Sequence, residues 1–269
     1  MAGSVKAVDL WLLVEYRGRW DRDAITVFPE AVQERLRALR SRIPKMRLAL
    51  IRQTGRDSGP LTVFWAFSRE RGPQLYRAEF GNYEELSFDV EQSGSESGEK
   101  LFAVCTHGTH DLCCAQFGNK IYSKMRRLSG NVWHISHIGG CRFAPNVVCL
   151  PHGIVYGRVE RSDCAAIVSR YKEGALLPPK LRGRSCYSKP VQAAEQFLRS
   201  AKQLTDVEEL SVTRVEEIQP GQWSMTFLSR DSTQHQVSLT VEGGWTNTYK
   251  SCSATQLSTR ERFSLIDVV

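Results

Sequence analysis

With 269 residues, 41% of them hydrophobic and 24% charged, the chain can bury a core of its own, which excludes a disulfide-stapled mini-domain or a disordered segment. Its longest apolar run near the start, LWLLV, is far short of the roughly 20 residues a spanning helix needs; Asp9 precedes it and no small-residue cleavage site follows, so neither a membrane span nor a signal peptide is expected, and the chain is expected in the cytoplasm, where thiols stay reduced. The formal net charge of +7 suits an acidic partner, but no zinc-finger, RRM or KH signature accompanies it, so nucleic acid is not the expected partner.

The first strand is expected at 10–16 (LWLLVEY). A helix follows at 30–43, where Val32, Leu36, Leu39 and Ile43 repeat on one face. A second strand covers 46–53. Residues 60–81 read as a hairpin turning near Arg-Gly-Pro. Through this unit runs a basic stretch, Arg35, Arg37, Arg40, Arg42, Lys45, Arg47 and Arg52 against the single acid Glu34, which is either a docking surface or a solvated helix face. The segment 91–100 (EQSGSESGEK) lacks an apolar anchor and reads as a linker. The pattern then recurs: a strand at 100–108, a helix at 113–130, a strand at 131–140, a hairpin at 146–159 turning at Pro-His-Gly, and a helix at 162–174. A shared β-α-β-β order makes the halves a candidate repeat. A helix at 189–204 puts Val191, Ala194, Phe197, Leu198 and Ala201 on one face, and 210–245 alternates as antiparallel strands.

Eight cysteines in a reducing compartment are not naturally a disulfide framework, and four of them crowd between positions 105 and 141, which points to local chemistry. Cys105 ends a strand, Cys113 and Cys114 open a helix, and His137 and Cys141 flank Gly139-Gly140 after the next strand. If the two loops leave one sheet end, four soft or borderline donors converge, suiting zinc, copper or iron–sulfur. The first loop is longer than a zinc knuckle, C-x(2–4)-C. The glycines admit backbone N–H groups to a charged centre, and the helix start favours thiolate. Spacing alone leaves iron–sulfur and zinc both open.

Three blocks, CTHGTHDLCCAQFG, VWHISHIGGCRFAPNVVCLPHGIVYGRV and LRGRSCYSKPVQAAEQFLR, resemble in their order the sucrase/ferredoxin-like family, a branch of the thioredoxin-like ferredoxins. The likeness covers about residues 100–205. It implies an α/β fold of thioredoxin-like β-α-β-β units, two in tandem, with a small antiparallel β-rich C-terminal extension. The expected division is 1–95 without a cluster, 96–205 as the ferredoxin domain, and 206–269 as the extension. It implies one-electron transfer through a [2Fe–2S] cluster, with an electron-donor flavoprotein reductase or ferredoxin and an acceptor the sequence does not name. Carried residue by residue, the family's ligands fall on Cys105, Cys114 and His137. The family's second histidine, in His-x-Gly-Gly-His, falls on Cys141, a departure that still offers a competent ligand. A three-cysteine, one-histidine set should have a potential between all-cysteine and two-histidine clusters. That potential should fall as pH rises if the imidazole titrates.

Other positions carry plainer expectations. Cys113 is expected under the cluster rather than on it, and His107 and His110 as polar loop residues. His134 is expected as a half-buried strand histidine, and Trp133 as a core aromatic. Arg142 is expected either at the cluster's charge or in an ion pair. Cys149, Cys164, Cys186 and Cys252 are isolated and expected as small buried hydrophobes. No G-x-G-x-x-G, P-loop, G-x-S-x-G or paired-carboxylate arrangement is present, so nucleotide binding, serine hydrolysis and sucrose hydrolysis have no motif behind them. The rivals are a zinc-stabilised interaction module, a Cys-His nucleophile at Cys114, and a thiol–disulfide oxidoreductase, which would need C-x-x-C.

Overall fold

The structure, a computed structural model, describes residues 1–242, 248–249, 251–252, 254–259 and 261–269. The N-terminal half contains β1 (Leu10–Glu15), α1 (Glu30–Arg42), β2 (Met46–Arg52), β3 (Leu61–Phe67) and β4 (Gln74–Phe80). The segment expected as a linker holds one turn of helix, α2 (Val90–Ser93), and a two-residue strand, β5 (Ser95–Glu96), which pairs with the edge of β4. The next half contains β6 (Leu101–Cys105), α3 (Leu112–Arg126), β7 (Val132–Ile135), β8 (Val147–Leu150), β9 (Ile154–Tyr156) and α4 (Asp163–Lys172). There follow β10 (Leu181–Arg184) and α5 (Lys189–Lys202), and then β11 (Leu210–Gln219), β12 (Gln222–Ser229) and β13 (Gln234–Glu242). A short pair, β14 (Thr248–Tyr249) and β15 (Leu257–Ser258), and a last strand, β16 (Arg262–Val268), end the chain. The end of the alternating stretch read to Trp245 lies outside the described residues.

Ten strands form one mixed sheet in the order β10-β9-β8-β6-β7-β2-β1-β3-β4-β5. Within it each half repeats one pairing scheme. β1 is parallel to β2 and antiparallel to β3, which is antiparallel to β4. Likewise β6 is parallel to β7 and antiparallel to β8, which is antiparallel to β9. The halves join at β2 and β7, antiparallel, through Ile51 opposite Ile135 and Arg52 opposite His134. The near-continuous apolar strands follow from burial on both faces.

One face packs α1 through Val32 and Leu36 against Leu10, Leu12, Leu50 and Trp65. The same face in the second half packs Ile121, Tyr122 and Met125 of α3, with Ile167 and Tyr171 of α4, against Phe102, Val104 and Val147. The opposite face of both halves shares a single core holding Trp11, Phe64, Trp133, Cys105, Cys114 and Cys141. Phe64 meets Trp133 edge to face at 5.5 Å although two strands lie between them. Ser68 Oγ donates to Pro151 O at 2.7 Å. The sheet is therefore curled around this face.

β11, β12, β13 and β16 make a separate four-stranded antiparallel sheet covered by α5. The buried face of α5 differs from the apolar stripe read from sequence. Val191, Ala194 and Leu198 are buried, but so are Gln192, Glu195 and Arg199, while Ala201 is exposed. The polar members are buried because they are partnered. Arg199 Nη2 lies 3.0 Å from Glu195 Oε1, and Arg184 Nη1 lies 3.5 Å from it; Val207 O accepts from both arginines.

Candidate metal centre

Because β6 and β7 are parallel neighbours, the loops after Cys105 and Ile135 leave the sheet at one end. Cys105 is the last residue of β6 and is buried. Asp111 caps α3, its carboxylate accepting from Cys113 N at 3.0 Å, and the first turn carries Cys114 inward. The helix can cross this close because position 118 is glycine. A Cβ there would stand 2.2 Å from Cys105 O. The second loop turns at Gly139 and Gly140, with φ of +88° and +74°, values that favour glycine. It delivers Cys141 into a short 3₁₀ turn, Cys141–Phe143.

The four expected positions meet in one chain of contacts. The Cys114 thiol is hydrogen-bonded to both Cys105 and Cys141, and Cys141 Sγ lies 3.3 Å from His137 Nδ1. The proximity sorts their acidities. The bond from Cys114 holds the Cys105 thiol below its ordinary value against the opposing burial, with help from the His107 and Ile138 N–H groups and the Arg47 charge. The same contacts with Cys105 and Cys141, and burial, push Cys114 far up. Cys105 is thus the first of this pair to ionise. Burial, aided by His110 and Arg47, lowers His137 to about 3, so its imidazole is neutral at pH 7 with a lone pair to offer.

His107 lies in the loop, as expected, and is buried. Its Nδ1 accepts from His137 N at 3.0 Å, and its Nε2 donates to Trp20 O at 3.4 Å. Those partners assign the Nε2–H tautomer and occupy both nitrogens. His110 does more than the sequence indicated. Its ring stacks on His137 with centroids 3.5 Å apart and 4° between planes. His110, His137 and Cys141 each bring a ligand atom to within 4.8 Å of one another. His110 Nδ1 is buried with no hydrogen-bond partner. Two separate loops create that stack, so no spacing along the chain encodes it.

Cys113 faces away from the three thiols, toward Cys252, whose Sγ accepts from Cys113 N at 3.3 Å. Cys252 is exposed, not a buried filler, and its thiol donates to Asp111 Oδ1 at 2.6 Å. Burial, then Cys252 and Asp111, push Cys113 to about 12. Cys149 and Cys164 are buried and Cys186 half-buried. His134 is buried on β7, held by Thr106 Oγ1 and Thr54 Oγ1, each at 3.1 Å. Trp133 is a core aromatic.

Two guanidinium groups beside the thiols come from places the sequence did not single out for the site. Antiparallel pairing sets the start of β2 against the exit of β7. Arg47 accordingly donates from Nη2 to His137 O. Arg182 of β10 donates from Nη1 to Gly139 O at 3.1 Å and Asn146 Oδ1 at 2.9 Å, and from Nη2 to Ser4 O at 2.8 Å. Burial lowers Arg182 to about 10, opposed by the charges of Cys105 and Cys141. Arg142 lies over the Phe143 ring at 4.4 Å. The basic stretch does not form one face. Arg35 donates to Leu86 O and Glu84 O, Arg37 pairs with Glu30, and Arg52 covers Trp20 at 4.5 Å.

Among the described residues no helix is long and apolar enough to cross a membrane. No curated protein matches the chain. The sucrase/ferredoxin-like family model matches residues 1–183. That span takes in the N-terminal half as well as the expected motif region, reaches into β10, and leaves out α5 and the C-terminal sheet. On that match, the chain belongs to the sucrase/ferredoxin-like family.

Proposed function

We propose that Cys105, Cys114, His137 and Cys141 hold a [2Fe–2S] cluster and that the protein carries single electrons. The observation that carries this reading is the convergence of three thiols, with Cys114 between Cys105 and Cys141, and a neutral imidazole at the exit of two parallel strands. Several thiolates at one point repel unless a cationic centre lies among them. Arg47 and Arg182, neither with a carboxylate partner among the described residues, stand ready to balance a net negative assembly.

When bound, such a cluster supplies one-electron redox chemistry. The chain's own groups would hold it and set its potential. The N–H groups of His107 and Ile138 aimed at Cys105 Sγ stabilise negative charge on that sulfur and so favour the reduced state. Trp20 and His107 pack edge to face at 5.8 Å, which pins the ligand loop to the N-terminal half. In this reading each half is a thioredoxin-like unit, 1–95 without the cluster and 96–205 with it, and 206–269 is an extension. Electrons would come from a flavoprotein reductase or a ferredoxin, in the cytoplasm, where the thiols stay reduced.

A second reading has its own observation. His110, His137 and Cys141 would hold one zinc ion in a structural clamp, and their ligand atoms are already gathered. Anaerobic purification with iron, sulfide and zinc assays, followed by EPR before and after dithionite, separates the two. About two irons and two sulfides per chain, with a signal only after reduction, is the expected result. A colourless protein with about one zinc per chain overturns the electron-transfer reading.

A further inference from the structure

Beside the candidate centre lies a cavity of about 180 Å³ whose lining includes His137. Its charged walls are Lys6, Arg22, Arg40, Lys45 and Arg47 against one acid, Asp23. That acid is already engaged, its Oδ1 accepting from Ile25 N at 3.2 Å. Lys45 reaches Asp9 only loosely, at 3.7 Å on the surface. Arg47 enters from the protein side. Its Nη2 is used by His137 O, but its Nε is buried with no acceptor, and no carboxylate pairs with it among the described residues. Arg40 and Arg47 repel one another across the site. A concave site with five cations, one of them an enclosed and incompletely bonded guanidinium, is short of an anion.

We propose that this cavity is a binding site for a small multiply charged oxyanion, of the carboxylate or phosphate class, held by Arg40, Lys45 and Arg47 beside His137. Arginine's fork matches either oxyanion bidentately, and lysine adds a point charge. The ordering follows from the fold. α1 carries Arg40, the turn after it carries Lys45, and β2 carries Arg47, so one helix–strand corner presents all three. Binding itself does not need the cluster. Its consequence does rest on the electron-transfer reading. Reduction adds an electron next to a bound anion, so the oxidised protein binds the anion more tightly. By linkage, the anion lowers the potential.

The test is calorimetric titration of the purified full chain with inorganic phosphate and, separately, with citrate, at constant ionic strength set by chloride. One saturable site per chain is expected, and whichever probe binds tighter identifies the source class. The paired change Arg40→Gln and Lys45→Gln, both exposed positions, should weaken binding at least tenfold. Removing the same charge elsewhere, with Lys120→Gln and Lys202→Gln, should leave it unchanged. Non-saturable binding, or equal losses in the two pairs, overturns the site. In cluster-loaded protein, tenfold weaker binding to the reduced form would appear as a potential lowered by about 59 mV at saturating anion. An unchanged potential overturns the coupling. Saturable binding to a colourless protein would sink the cluster reading and leave the site standing. A loaded cluster with no saturable binding would do the reverse.

Discussion

Gly140→Ala, set against Gly139→Ala, tests the way the second loop is held. Both glycines have positive φ, so both variants place an L side chain in the left-handed region, at about 1–2 kcal/mol. A stiffer unfolded chain returns about 0.4–1 kcal/mol of that. At Gly139 nothing lies within 4 Å of the added Cβ, so the net loss should be about 1 kcal/mol. At Gly140 the Cβ would fall 2.2 Å from Arg182 Nη2 and 2.6 Å from its Cζ. The guanidinium has no free path, because bonds to Ser4, Gly139 and Asn146 fix it. Moving it breaks at least two charge-assisted bonds, one of them fully buried, each about 1.5–3 kcal/mol. Gly140→Ala should therefore lose about 4 kcal/mol or more, and Cys141, the next residue, should shift with it. Urea denaturation of the two variants and the parent at one pH measures the difference. Losses agreeing within about 1 kcal/mol would refute the claim that Arg182 braces this loop.

Other perturbations read other parts of the structure. Cys114→Ser should lose bound iron while Cys113→Ser keeps it, by iron assay, because only Cys114 contacts both neighbouring thiols; equal retention would remove Cys114 from the ligand set. His110→Ala should leave iron content unchanged under the cluster reading and abolish zinc under the clamp reading, by metal analysis of the purified variants. Glu195→Gln should cost about 3–5 kcal/mol in urea denaturation, since it leaves Arg184 and Arg199 buried without their shared carboxylate; a loss under about 1 kcal/mol would show that the backbone carbonyls suffice. Burial lowers His134 to about 4 and His152 to about 3 from 6.5. The unfolded chain then binds more protons than the folded one below 6.5, so their contribution is full above that pH and is lost as pH falls toward 4. Each should cost about 1.4 kcal/mol per pH unit in that window. A denaturation midpoint constant from pH 7 to pH 4.5 would contradict their buried neutral state.

The sequence alone determined most of the elements and their order, though not α2, β5, β10 or β16, because hydrophobic period, Gly and Pro punctuation and strand–helix alternation are local signals. The helices at Glu30–Arg42, Leu112–Arg126 and Lys189–Lys202 and the hairpin of β3 and β4 fall where the periods put them. It also placed Cys105, Cys114, His137 and Cys141 at strand exits and a helix start, since those positions depend only on neighbours in the chain. What only the tertiary structure decided lies across the β2–β7 junction and the curl of the sheet. No period announces that Arg47, deep in the first half, will face His137, for that follows from two antiparallel strand pairs far apart in sequence. Arg182 fills the space left by Gly140 because β10 lies at the far edge of the same curled sheet. The His110–His137 stack and the approach of Cys252 to Asp111 arise the same way, from loops brought together by packing. Charges buried at such junctions look like surface residues in the sequence. What makes their burial tolerable is a partner tens of residues away, and pattern reading along the chain has no access to it.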